Sequence, residues 1–491
     1  MVRIVHHLID GKETPSLSGQ TFQSLNPATG EVIAKVAEGS AEDVNLAVCS
    51  GHRTFEKGLW KNMTPGERSK RLRRVADMIR LRAEELAQLD TLDCGKPIQD
   101  NRKGDLPASA AFFDYFAGVT QNIRSSVIAG DPGYHQYTLR EPYGVVACIT
   151  PWNFPFAQAC LKVAPALAAG NSVVVKMAEQ TPLSTSELGK ICLESGVPEG
   201  TVNIIHGFGE VAGAALVRHP LVRKISFTGS SATGREILRA AAEGVKPTNL
   251  ELGGKTPNIV FSDADLEQAL AGTLFTSFFN MGQICTTGSR LLLDERIAQD
   301  FVRKLVAAAS KLKIGDPMLD ETQLGCLVSQ EQCDRVLRYI ELGVQEGANL
   351  VVGGQRPNLL GKLQCGHFVQ PTVFQNVNMS MRIAREEIFG PVLSILTFRN
   401  EKEAIQIAND GSFGLAAAVW TNDLARAFRM TDAIDAGVIW TNTIHHGSPA
   451  VPLSGHKDSG LGEDLGLEAI HNYTQLKTVF MNYGGSKVSW T

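Results

Sequence analysis

Paired cysteines, long apolar runs and an excess of either charge are all missing from this chain of 491 residues, and each absence removes a class of protein. The nine cysteines, Cys49, Cys94, Cys148, Cys160, Cys192, Cys285, Cys326, Cys333 and Cys365, are odd in number, scattered and never spaced as CxxC. That pattern argues against a disulfide framework and against a zinc cage, so no metal is expected. Most of these thiols read as small buried hydrophobes, and only Cys285 has a chemically suggestive neighbourhood. No window approaches the ~18 uninterrupted apolar residues of a membrane helix. Residues 1–10 are too interrupted for a signal peptide, which makes the cytoplasm the expected location. Asp and Glu number 51 against 47 Lys and Arg, which gives no electrostatic reason to expect nucleic acid or an anionic membrane as a partner.

What is present reads as alternating strands and helices in a chain too long for one simple core. Residues 171–176 (NSVVVK) form a buried β-branched strand, followed by helical periodicity over 185–195. Strands are expected at 201–205 and 224–227, and Gly229-Ser230-Ser231-Ala232-Thr233-Gly234 opens a helix around 235–242. Such alternation predicts a doubly wound parallel sheet. After Gly253-Gly254 a second α/β block begins, with helices near 263–280 and 297–312 and a strand at 290–293. Residues 125–140, with Gly130, Asp131, Pro132 and Gly133 between extended-looking neighbours, read as a protruding hairpin.

Three segments carry chemistry. Cys285 sits among small polar residues in GQICTTGSR, and Glu251 stands just before the turn in ELGGK. A thiolate that attacks a carbonyl and a carboxylate that then activates water suffice for a two-stage covalent reaction. Asn153, in PWNFP, offers an amide that can donate to a developing oxyanion. For a cofactor, Gly207-Phe208-Gly209 followed by Gly213 has the wrong spacing for a dinucleotide fingerprint and reads as a tight turn. Phe227-Thr228-Gly229-Ser230 is stronger, because backbone amides and a hydroxyl at a helix start can hold a pyrophosphate. An ordinary N-cap is the competing reading of Ser230.

These motifs, in this order, resemble the NAD(P)-dependent aldehyde dehydrogenase superfamily nearly end to end. The resemblance implies a Rossmann-like cofactor domain (1–123 and 142–253), an α/β catalytic domain (254–458) and a small β oligomerisation element (124–141 and 473–491). It also implies a homo-oligomer, tetramer or dimer. The cofactor residues it implies are Ile149, Thr150, Pro151, Trp152, Lys176, Glu179, Gly209, Gly213, Phe227, Thr228, Gly229, Ser230, Leu252, Gly253, Glu387 and Phe389. Lys176 and Glu179 would hold the adenosine ribose, and the carboxylate favours NAD over NADP by repelling a 2′-phosphate. Cys285, Glu251 and Asn153 match the catalytic residues. Lys162 and Asp464 match positions thought to pass the proton outward. Asp464 is one methylene shorter than the family's usual Glu, and Glu463 replaces a usual Arg, so a simple ion-pair or surface role stands beside the relay.

By the same match the aldehyde pocket is lined by Phe154, Ala157, Leu161, Phe279, Met281, Ile284, Thr286, Ile444, His445 and Leu453. Relatives acting on quaternary-ammonium aldehydes carry Trp at the position of Leu161, and those acting on succinate semialdehyde carry Arg. Leu161 offers neither a cation–π face nor a carboxylate anchor, so a neutral, largely apolar aldehyde is expected. His445 and His446 leave a charged semialdehyde or amino aldehyde open if they are protonated, and solvent-facing loop histidines are the plainer reading. A two-histidine metal site lacks a third ligand. A CoA-acylating relative is disfavoured by Glu251, which such enzymes tend to lack.

Overall fold

The computed structural model describes residues 2–485 together with Val488 and Trp490; Met1, Ser486, Lys487, Ser489 and Thr491, parts of the expected N-terminal and tail segments, lie outside. An eight-stranded sheet forms the first layer system. Its five central strands run parallel in the order Thr248–Glu251, Val222–Thr228, Val145–Ile149, Ser172–Lys176, Val202–Ile205. All residues of Val145–Ile149 and Ser172–Lys176 are buried, as strands covered by helices on both faces require. The helices Leu183–Glu194 and Ser231–Glu243 follow their strands within a residue or two of the expected bounds at several ends and up to four residues away at the widest. The strand Val145–Ile149, at the centre of the sheet, was not read from its sequence.

A second, seven-stranded sheet contains Arg290–Asp294, Pro257–Val260 and Ala416–Trp420 at its middle and ends on Val438–Thr441. All its pairings are parallel except that of Asn349–Val352. The helices Leu266–Phe278 and Glu295–Ala309 bear out the predicted amphipathic segments. The α/β class with two parallel sheets is therefore as expected.

The predicted hairpin forms. Val127–Ile128 and Tyr134–Pro142 pair antiparallel, and the tail strand Thr474–Asn482 adds along the whole of Tyr134–Pro142. The short strand Gly460–Leu461 returns from beyond the second sheet to pair with Thr248–Glu251, and Ser459 O accepts from Leu252 N at 2.8 Å. The two sheets are thus stitched together beside Glu251.

Candidate active site

Ligands of open parallel sheets bind beyond the carboxyl ends of the strands. Here those ends border a cleft of ≈ 460 Å³ lined by Ile149, Thr150, Pro151, Trp152, Lys176, Glu179, Gly209, Gly213, Phe227, Thr228, Gly229 and Ser230. Twelve of the sixteen expected cofactor residues therefore share one surface. Lys176 Nζ lies 3.1 Å from Glu179 Oε2, and burial lowers the lysine pKa against the pull of that carboxylate. Ser230 does cap its helix, its Oγ accepting from Thr233 N at 3.1 Å, so the N-cap reading and the cleft position both hold. Gly209 opens a wide turn into the helix Ala214–Arg218, which agrees with a turn rather than a dinucleotide fingerprint. Val217, Ile237 and Ala240 complete an apolar floor that no motif announced.

The cleft suits a dinucleotide on its own evidence. Thr150 Oγ1 and Thr228 Oγ1 are buried without a partner among the described residues, an arrangement that costs free energy unless a ligand or water satisfies it. Residue 229 must be Gly, since a β-carbon there would come within 2.4 Å of the Phe227 ring. Leu252, Gly253, Glu387 and Phe389 lie at the inner end instead. Leu252 packs under the helix at Gly234, and a β-carbon on Gly253 would sit 2.6 Å from Glu387 Oε2. Glu387 Oε1 accepts from Gly254 N at 2.8 Å, and burial raises its pKa to about 7. Phe389 holds φ +61° with its ring edge-on to Trp152 at 5.2 Å. Gln332 Nε2 donates to Phe389 O at 2.7 Å and Arg335 Nη2 to Glu387 O at 2.7 Å, two supports the sequence reading missed.

The nucleophile loop is bent sharply. Asn280, Met281 and Gly282 hold φ values of +48°, +54° and +69° in succession, a left-handed run in which non-glycine residues are strained. Gly282 abuts Gly390 O, which a β-carbon would approach to 2.2 Å. Gly254 abuts the Cys285 carbonyl just as tightly: a β-carbon would come within 2.3 Å of Cys285 O. The glycine turn after Glu251 is therefore pressed against the residue that bears the thiol. Cys285 is partly accessible, yet the protein around it pushes its pKa up to about 12, first by desolvation and then through the Glu251 and Glu387 carboxylates.

Asn153 Nδ2 donates to Gln283 O at 2.8 Å, which fixes the amide and leaves its second N–H for another acceptor. Asn280 Nδ2 donates to Asn153 O at 2.9 Å, so the same loop holds both sides of this residue. Glu251 is buried, and its Oε1 has no partner among the described residues. Desolvation and then Asp464 raise its pKa well above the carboxylate range, while Lys162 pulls it back. Lys162 and Asp464 are fully buried, with Nζ 3.0 Å from Asp464 Oδ2, which rules out a surface role for the pair. Asn249 Nδ2 donates to Asp464 Oδ1 at 2.6 Å, Lys162 to Ser226 Oγ at 3.2 Å and the Tyr473 hydroxyl to Ser226 Oγ at 2.9 Å. The shorter Asp464 thus accepts at both of its oxygens, while Asn249 Oδ1 is buried without a partner among the described residues. Glu463 accepts from Asn472 Nδ2 at 3.0 Å.

On the aldehyde side, Phe154 and Phe279 face each other at 6.5 Å, and Phe279 continues to Phe275 at 4.8 Å. Ala157, Leu161 and Ile284 are buried, Leu161 within the core against the eight-stranded sheet. Thr286, Ile444, His445 and Leu453 are partly buried, and Leu453 pairs with Asp464 on a short ladder. Met281 is a correction: its backbone is left-handed, and the side chain lies in the core against the second sheet with Leu327 and Val336, where its sulfur accepts from Gly325 N at 3.2 Å. His445 is partly buried, which sets aside the plainer reading of it as a solvent-facing loop residue. Its Nε2 reaches Thr276 and Thr286, and burial lowers its pKa to about 4; His446 is exposed. Among the described residues no group of three or more His, Cys, Asp or Glu is placed to hold a metal, and no helix is long and apolar enough to cross a membrane.

The sequence pattern of the aldehyde dehydrogenase family matches residues 14–479. Over 473 residues the chain is 44% identical to the mitochondrial benzaldehyde dehydrogenase of Antirrhinum majus, covering 96% of this chain and 88% of that protein. It is 42% identical over 483 residues to the betaine aldehyde dehydrogenase of Bacillus subtilis (strain 168), covering 98% of each. The NAD+ complex of an aldehyde dehydrogenase from Bacillus cereus superposes with a TM-score of 0.96 at 43% identity, covering 98% of this chain and 97% of that one. The chain belongs to the aldehyde dehydrogenase family, and it is an NAD(P)-dependent oxidoreductase acting on aldehydes.

Proposed function

We propose that the enzyme oxidises a neutral, largely apolar aldehyde to its carboxylic acid, with Cys285 as nucleophile, Glu251 as general base and Asn153 as oxyanion donor. The observation that supports this reading is the contact of the Gly254 turn with Cys285 O, since it presses the segment that bears the base against the backbone of the residue that bears the thiol. Attack of Cys285 sulfur on the aldehyde carbon, with the thiol proton passing to Glu251, makes a thiohemiacetal whose oxyanion receives the free N–H of Asn153 and the Cys285 backbone N–H. Lys176, Glu179 and the Glu387–Phe389 segment would hold NAD, which would supply the hydride acceptor. Loss of the hydride leaves a thioester on Cys285. Glu251 then takes a proton from water, the hydroxide displaces the thiolate, and the acid departs. Lys162 and Asp464 hold charge and proton behind Glu251.

NAD is the proposed preference because the Glu179 carboxylate is fixed by Lys176 where a 2′-phosphate would be repelled. The apolar reading is supported by the Phe154–Phe279–Phe275 wall and by a His445 that stays neutral near pH 7 and so offers no cation to a carboxylate. The sheet of Val127–Ile128, Tyr134–Pro142 and Thr474–Asn482, with Leu476 and Phe480 exposed, is the proposed surface of a homodimer or tetramer. The test is NADH formation over a panel of aldehydes, with and without CoA. Turnover that requires CoA, or betaine aldehyde or succinate semialdehyde outrunning hexanal and benzaldehyde in kcat/KM, would overturn the reading.

A further inference from the structure

The loop after the strand Val438–Thr441 carries an imidazole that the covalent chemistry does not use. His445 holds φ +54°, a conformation histidine tolerates better than most residues but which is still strained. Its ring is fixed from two sides, edge-on to Phe275 at 5.7 Å and to Trp440 at 5.5 Å. Trp440 Nε1 donates to His446 O at 2.8 Å and ties the loop back to its strand.

The hydrogen bonds of His445 among the described residues all run through Nε2, which lies 3.2 Å from Thr276 Oγ1, 3.4 Å from Thr286 Oγ1 and 3.2 Å from Thr286 O. A carbonyl oxygen can only accept, so Nε2 carries the proton and Nδ1 keeps its lone pair. Burial keeps the ring neutral at ordinary pH. The loop therefore offers an acceptor rather than a cation. Thr286 adjoins Cys285, and Phe275 continues through Phe279 to Phe154, the neighbour of Asn153. One aromatic wall thus runs from the oxyanion amide to this acceptor.

We propose that His445 Nδ1 is a specificity-determining acceptor that selects aromatic aldehydes bearing a ring hydroxyl or N–H over the same ring without a donor. The inference rests on the apolar, aromatic-walled pocket just described and names its substrate class more closely. A flat ring packs well edge-on and offset against Phe154, Phe275 and Phe279. A ring hydroxyl or N–H can donate to that lone pair, whereas the same ring without a donor forgoes the bond.

The experiment compares kcat/KM for 3- and 4-hydroxybenzaldehyde, their methoxy counterparts and benzaldehyde, at a pH below the pKa of each phenol. Wild type is expected to favour the better hydroxy isomer over its methoxy partner by about tenfold. His445→Phe and His445→Gly, the second free of the positive-φ strain, are expected to bring that ratio near one. No hydroxy preference in wild type overturns the assignment. So does a ratio unchanged in either folded variant, because disturbing Thr286 alone would slow all five substrates together. Failure of the pocket reading itself looks different: a charged semialdehyde would then outrun benzaldehyde in the wild type.

Discussion

The proposed cofactor cleft and the proposed aldehyde wall are made of different material. The cleft is built from backbone at the ends of parallel strands, with Gly229 and Gly253 removing side chains where something must come close. The wall is built from the rings of Phe154, Phe275, Phe279, Trp440 and His445, contributed by segments far apart in the chain. A backbone cradle depends on local sequence and tolerates little change. A side-chain wall can be repapered without touching the fold, so the two regions should respond to mutation separately.

The sharpest break between them is Cys285→Ala. It should abolish aldehyde oxidation while leaving the NAD dissociation constant within about twofold, because cleft and thiol share no side-chain hydrogen bond (a shared bond would be worth about 1 kcal/mol). Titration calorimetry beside an NADH assay checks this, and residual turnover would remove Cys285 from the chemistry. Glu251→Gln should slow steady-state turnover by about 10²- to 10⁴-fold yet leave a rapid burst of NADH, since only hydrolysis needs the base. Stopped-flow absorbance reads both phases; an unchanged steady rate would mean that water is activated elsewhere.

A smaller effect tests the cleft alone. Glu179→Ala should erode the preference for NAD over NADP by about 10- to 100-fold, the worth of one charge-assisted hydrogen bond. Equal kcat/KM for both cofactors in the wild type would refute the role of Glu179. The smallest effect tests the wall. In a short alkanal series each added methylene buries ~0.8 kcal/mol of apolar surface, so kcat/KM should climb about fourfold per carbon until the pocket fills. A flat series would mean that the chain extends into solvent rather than along the rings.

Legibility in the sequence followed the same division. The strand Ser172–Lys176 could be read because β-branched residues run unbroken between turn signals, and Ser230 because a helix start has its own chemistry. The strand Val145–Ile149 escaped notice although it is equally apolar, since nothing polar marks its beginning as a motif. Met281 was misassigned because sequence position cannot show the left-handed turn that swings it into the core. Gln332 and Arg335 act on Glu387 and Phe389 through backbone carbonyls, a contact that leaves no trace in residue type.

The sequence by itself determined the family, because the motifs around Asn153, Glu251 and Cys285, in that order, carry the resemblance to aldehyde dehydrogenases, and glycines at fixed positions carry their geometric meaning locally. Only the tertiary structure decided the environment of those groups. It buried Lys162 and Asp464 as a pair, drove the Cys285 pKa upward, and turned His445 from a loop residue into a neutral imidazole with one lone pair free. Each of these depends on desolvation and on partners distant along the chain, and desolvation is a property of the packed whole.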